Sequence, residues 1–186
     1  MADFPTDLSA LTDNVDDVMA KHVNNLEEKV GTDSSAVTST HDFKLAKHAC
    51  CVYNSADHTL GNASATDLTW DTEEYDIGGL HEGVTNPSRI TIVKSGVYQV
   101  SAQVGFDANA TGSRRIYLKV DAATIAEFGD ARPSSGQKCY PCIQRILNLS
   151  AGNYVEVAAF QDSGGDLNDT NGFRYTYLAV ALIHAT

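Results

Sequence analysis

"GVYQVSAQVGF" (96–106), preceded by "RITIVKS" (89–95), carries the most regular pattern in this sequence. Tyr98, Val100, Ala102, Val104 and Phe106 fall on one parity, and Val97, Gln99, Ser101 and Gln103 on the other. A period of two is that of a β-strand, whose successive side chains point to opposite faces. The first set is expected on a core and the second on an outer surface. The run opens with a glycine two residues before its first aromatic. A strand that starts on a residue without a side chain needs a local reason.

The same alternation recurs outward from this stretch. Ile116, Leu118 and Val120 alternate with Arg115, Tyr117 and Lys119, and Val155, Val157 and Ala159 with Tyr154, Glu156 and Ala158. Shorter strands are expected at 46–53, 66–70, 89–94, 123–128 and 142–149. The separators "DANATGS", "SAGN" and "DSGGDLNDTNG" are turn residues. Many short strands broken by turns indicate an antiparallel sandwich or barrel. The last strand, "RYTYLAVALIHA", differs. Tyr175, Tyr177, Ala179, Ala181 and Ile183 make one apolar face, and Leu178, Val180 and Leu182 a second. A sandwich strand normally shows water one face, so the outer face here calls for a cover, from a partner subunit or another segment.

Before residue 43 the period is helical. Leu8, Leu11, Val15, Met19, His22, Leu26 and Val30 are spaced 3, 4, 4, 3, 4 and 4. That 11-residue repeat keeps one stripe on one face of a helix over 7–30. Gly31 is a natural stop. A helix of this length spans about 36 Å and is marginal alone, so its stripe is expected to serve oligomerisation or anchoring. "TDSSAVTSTHD" (32–42) has no period and reads as a linker. The expected organisation is therefore a helical segment 1–31, a linker 32–42 and a β domain 43–186.

The bulk properties narrow the function. A net charge of −11 argues against nucleic-acid binding, which needs a basic surface. No apolar run approaches the roughly 18 residues of a membrane helix. The start, "MADFPTDLSALTDNVDD", is acidic and lacks the basic-then-apolar pattern of a secretory signal. Synthesis in a cytoplasm is the expectation that follows. No phosphate loop, HExxH or GxSxG is present, and no cofactor is implied.

The segment "WDTEEYDIGGLHEGVTNPSRITIVKSGVYQVSAQVGFDANATGSRR" resembles the globular head of complement C1q and its relatives, which share a jelly roll with the tumour necrosis factor superfamily. The family pattern has an aromatic and an acid, then an apolar residue, five more, and Gly-x-Tyr-x-Phe. Trp70-Asp71 matches the first part, and Ile90, Gly96, Tyr98 and Val100 the second. Ile90 and Val100 stand where the family has phenylalanine, which places the likeness at its microbial and viral end. "LSAGNYVEVAAFQ" and "YTYLAVALI" are similar to the family's late strands. The resemblance covers 43–186 and implies a jelly roll that assembles as a compact homotrimer. "VDDVMAKHVNNLEEKVG" (15–31) resembles helices that precede β domains in bacteriophage fibre proteins. Together these imply a non-enzymatic virion protein of a tailed bacteriophage, made in the bacterial host cytoplasm and shown on the virion surface. It would be a decoration or short fibre protein, held to other virion proteins of capsid or tail through its N-terminal segment. The alternative is a fibre tip whose loops 107–114, 129–138 and 162–173 bind a host surface glycan or receptor.

Four smaller features are candidates for chemistry. "CYPC" (139–142) has redox spacing but leads into a strand rather than a helix. Adjacent Cys50 and Cys51 point to opposite faces of a strand, which disfavours a zinc site with Cys139 and Cys142. A structural disulfide and free thiols both stay open. Asp162, Asp166 and Asp169 lie in an oxygen-rich stretch of a kind that can hold calcium, but the spacing is not that of an EF-hand and a long hairpin loop made of turn residues is the favoured reading. His81, near Asp76 and Glu82, is expected to be a loop histidine.

Overall fold

The computed structural model describes residues 48–131 and 136–186, all in the β region. The helix expected over 7–30, with Leu8, Leu11, Val15, Met19, His22, Leu26 and Val30, and the linker 32–42 lie outside the described residues.

Thirteen strands are described and, among the described residues, no helix. They are β1 (Ala49–Tyr53), β2 (Thr59–Leu60), β3 (Ser64–Asp67), β4 (Thr72–Ile77), β5 (Ile90–Thr91), β6 (Gly96–Gln103), β7 (Gly105–Phe106), β8 (Arg114–Val120), β9 (Ala123–Ala131), β10 (Cys142–Leu149), β11 (Tyr154–Gln161), β12 (Leu167–Thr170) and β13 (Tyr177–Ala185). One sheet has the order β10-β6-β13-β1-β4, a second β5-β11-β8-β9, and a short third β2-β12-β7. All pairings between named strands are antiparallel. β13, the last strand, lies between β6 and β1 near the middle of the first sheet.

The core is built as the period of two requires. Tyr98, Val100, Ala102, Val104 and Phe106 are all buried, and they pack in one cluster with Cys50, Val52, Leu178 and Val180 of the same sheet and Ile116, Leu118, Val155 and Val157 of the other. Trp70 is fully buried in the same cluster. The Gly96 question has a geometric answer. A Cβ there would collide with the carbonyl oxygen of His184 and sit 2.6 Å from Leu182 Cδ1. A bulge between Leu182 and His184 brings the β13 backbone this close. Two residues on, Tyr98 turns inward and its hydroxyl donates to the Lys94 carbonyl at 2.8 Å. The glycine lets neighbouring backbone approach, and the tyrosine behind it fills the core while its one polar atom is satisfied.

Three expectations need correction. The stretch 162–172 is not one long hairpin loop, because Leu167–Thr170 forms β12 and pairs with β2 and β7. The presumed loops 107–114 and 129–138 are shortened by β8, which starts at Arg114, and β9, which runs to Ala131. β11 does not alternate between core and water, since Glu156 and Ala158 on its outward face are as buried as Val155 and Val157.

Candidate functional site: the outer face of the five-stranded sheet

The registers of β10, β6, β13, β1 and β4 place the outward side chains in rows across the sheet. One row reads Tyr75, Cys51, Ala179, Ser101, Gln144. The next reads Ile77, Ala49, Ala181, Gln99, Ile146, and on the other side lies Thr72, Tyr53, Tyr177, Gln103, Cys142. The centre is small (Ala49, Cys51, Ala179, Ala181, Ser101) and the periphery large. Tyr75, Ile77, Ile146 and Ile183 are 44%, 49%, 69% and 47% exposed. No charged residue holds a position in these three rows, although Arg145 borders Gln99, Gln144 and Ile146 at one edge and Glu74 lies close enough to Cys51 to act on its thiol.

An aromatic group closes one end. Tyr175 and Tyr140 stack with centroids 5.7 Å apart, and Tyr53 meets Phe173 edge-on at 5.9 Å. Gln103 Nε2 donates to the carbonyls of Arg174 and Tyr175 at 3.0 and 3.1 Å, pinning this turn to β6. Tyr175 and Tyr177, expected to serve oligomerisation, both belong to this surface. A mostly uncharged face with small residues in the middle and large apolar and tyrosine side chains at its periphery has the composition of a protein–protein interface. On β13 the sequence already showed it, because both parities are apolar; the rows contributed by β1, β4 and β10 required the pairing.

The reactive candidates are spent elsewhere. All four cysteines are free. Burial and then Glu74 push the Cys51 thiol up to about 11, and burial outweighs Arg114 in raising that of Cys139. Neither is a poised nucleophile. Cys139 registers opposite Phe106 and Cys142 opposite Gln103, so their side chains take opposite faces. Asp162 and Asp169 are not brought together as a calcium site. Asp162 accepts the Ser113 backbone N–H, while Asp169 is fully buried against His58. His81 lies in the loop between β4 and β5, as expected, but it is not solvated. It is buried on a bridge to Ile90, with Nδ1 2.9 Å from Glu73 Oε1, while Asp76 accepts the backbone N–H of Leu80 and His81.

Sequence reasoning missed the His58–Asp169 pair. The carboxylate accepts the His58 backbone N–H at 2.6 Å and faces its Nδ1 at 2.7 Å, and Nε2 lies 2.9 Å from the Thr69 carbonyl. Both ring nitrogens are engaged, which makes a structural clasp between the β2 approach and β12 rather than an acid–base site. Burial alone would lower the His58 pKa, but the hydrogen bond and charge of Asp169 raise it above the ordinary 6.5. A histidine raised by folding stabilises fully below its unfolded pKa, and that contribution is lost as pH rises through the folded value. The melting temperature is therefore expected to carry a component that falls as pH rises above 6.5, and His58→Gln is expected to remove it. His48, lowered by burial and Lys94, works in the opposite sense, so the variant comparison, not the raw profile, is the measurement. His58→Ala, which leaves Asp169 short of a partner, is expected to cost about 1–3 kcal/mol.

No family model matches the chain, and no curated protein matches it. Solved structures do. The globular domain of zebrafish complement 1qA protein superposes with a TM-score of 0.57 at 17% identity, covering 75% of this chain and all of that one. The Eiger TNF of S. frugiperda gives 0.56 at 14% identity, over 75% of this chain and 94% of its own. Murine APRIL gives 0.56 at 12%, over 73% and 98%. At such identities the likeness establishes the fold: the described region is a jelly roll of the C1q and tumour necrosis factor type.

Proposed function

We propose that the chain is a non-enzymatic structural protein whose jelly-roll heads associate with one another through the outer face of the five-stranded sheet. The observation that carries this reading is the set of three rows without a charged side chain, small in the centre and ringed by Tyr75, Ile77, Tyr177 and Ile146. A monomer of net charge −11 that leaves such a face open to water departs from the way soluble surfaces are normally composed. A second copy of the chain is the occupant that the C1q-like resemblance supplies, and three is the number that it implies. The setting we propose is the surface of a tailed-phage virion, as a decoration or short fibre head held through residues 1–31. Its support is the sequence likeness of the 15–31 segment and of the head to viral relatives.

Light scattering on the purified chain at micromolar concentration tests the assembly. The expected mass is about 60 kDa, three times the chain's 19.9 kDa. A mass of one chain would remove the reading. Mass spectrometry of purified particles from an infected culture tests the setting, which falls if the protein is missing from them.

A further inference from the structure

We propose that the outward face of the other, four-stranded sheet carries a shallow subsite for a single neutral sugar ring. The starting observation is the departure of β11 from alternation. Glu156 and Ala158 point away from the core, yet they are only 5% and 3% exposed. Glu156 is held down by charge. Its Oε1 accepts Ser88 Oγ at 2.8 Å and Arg89 Nε at 3.2 Å, and its Oε2 lies 3.8 Å from Lys119 Nζ. The Arg89 guanidinium in turn stacks on Tyr154 at 3.9 Å. Lys119 is then gripped by both oxygens of Asp67, at 2.8 and 2.9 Å. Two cations and two carboxylates fix one another, and the network is electrically neutral.

Beside this network lies a recess of about 320 Å³ lined by Ala65, Asp67, Tyr117, Lys119, Thr124 and Ala158. That is the small end of the range of ligand pockets, about 300–1,000 Å³. Ala65 and Ala158 give it apolar ground, and Tyr117 gives it an aromatic ring. Asp67 is a fixed acceptor, Lys119 a fixed donor, and Thr124 and Tyr117 supply hydroxyls. A pyranose presents the complementary pattern, with an apolar C–H face and a rim of hydroxyls that both donate and accept. Adjacent hydroxyls bridge a carboxylate and an ammonium already locked 2.8 Å apart, so little side-chain entropy is lost on binding. Because Lys119 is already paired with Asp67 and Glu156, a phosphate or acidic sugar finds no surplus positive charge here. A purely apolar ligand would strip water from Asp67 without replacing its hydrogen bonds.

The recess is on the sheet opposite the one that carries the assembly face. If the assembly reading holds, each copy keeps its subsite open to solvent, and several weak sites on one particle bind a glycan surface by avidity.

Saturation-transfer NMR on the full chain, with the methyl glycosides of glucose, galactose, mannose and N-acetylglucosamine in turn, tests the subsite. At least one is expected to receive saturation, with millimolar affinity. Tyr117→Ala and Asp67→Ala are each expected to weaken it about tenfold or more. An Ala179→Arg variant on the assembly face is expected to leave the per-chain affinity within about twofold. No saturation of any of the four glycosides overturns the proposal. So does binding that persists in both recess variants. None of these outcomes changes the mass read by light scattering, so the subsite and the assembly fail separately.

Discussion

Ala179→Arg is expected to convert the protein into a folded monomer. Ala179 lies on β13 between Cys51 on β1 and Ser101 on β6, at the centre of the small-residue row. Its side chain points away from the core, so in an isolated chain the arginine extends into water. Outward-facing strand positions of this kind change stability by about 0.5 kcal/mol or less. In the proposed assembly the same guanidinium has to be buried against Tyr75, Ala181 and their counterparts, with no carboxylate in the three rows to receive it. An unpaired charge at the centre of an apolar interface costs several kcal/mol, and about 4 kcal/mol already weakens association a thousandfold. Light scattering at micromolar concentration should then read 19.9 kDa, with circular dichroism and melting temperature near those of the parent. Ile125→Arg is the control, since Ile125 is 40% exposed on β9 of the other sheet. Its mass should not change. An Ala179→Arg protein that keeps the parent mass would show that the copies meet elsewhere.

The sequence made this face visible only in part, and the boundary follows physical lines. Where one side of a strand is buried and the other is not, alternation is imposed on the chain and can be read back. β6 and β8 were legible for that reason; the short strand expected at 142–149 matches β10 residue for residue, although its burial does not alternate. β4 was not expected, because "TEEYDI" is an edge strand with neither side in the core and no burial to write a period into it. β12 was hidden in turn residues. Its sequence, "LNDT", puts an aspartate on an inward position, which local reasoning reads as loop. The position is tolerated because His58, 111 residues away in the chain, reaches it. No local window contains that pairing. The same holds for Glu156, which looks like an outward polar residue until Ser88, Arg89 and Lys119 close over it. The candidate recess was therefore beyond sequence reading, while the apolar outer side of β13 was within it, because both parities of one strand are apolar in "YLAVALI".

Gly96→Val is expected to destabilise the fold strongly, although it replaces glycine by a good strand former. The strand begins here, opposite Leu149 on β10 and Ala185 on β13. The bulge in β13 turns the His184 carbonyl oxygen into the space a side chain would fill. Ala185 Cα, at 3.2 Å from a Cβ at this position, closes the same space. These are backbone atoms, so no rotamer change relieves the contact. Relief requires β13 to move, and β13 holds Leu178, Val180 and Leu182 in the core. Overpacking of a well-packed interior commonly costs about 1–3 kcal/mol, and a clash with backbone falls at or above the top of that range. For a domain of this size, about 3 kcal/mol lowers the melting temperature by roughly 6–12 °C. Valine is the informative choice because strand propensity alone predicts the opposite sign: a β-branched residue should favour this strand over glycine. A thermal melt therefore decides between local preference and tertiary contact. Gly165→Ala provides the reference, since nothing lies within 4 Å of a Cβ there, and it should change stability by less than about 0.5 kcal/mol. If Gly96→Val melts at or above the parent temperature, the close approach of β13 to β6 is not what places glycine at the head of the strand.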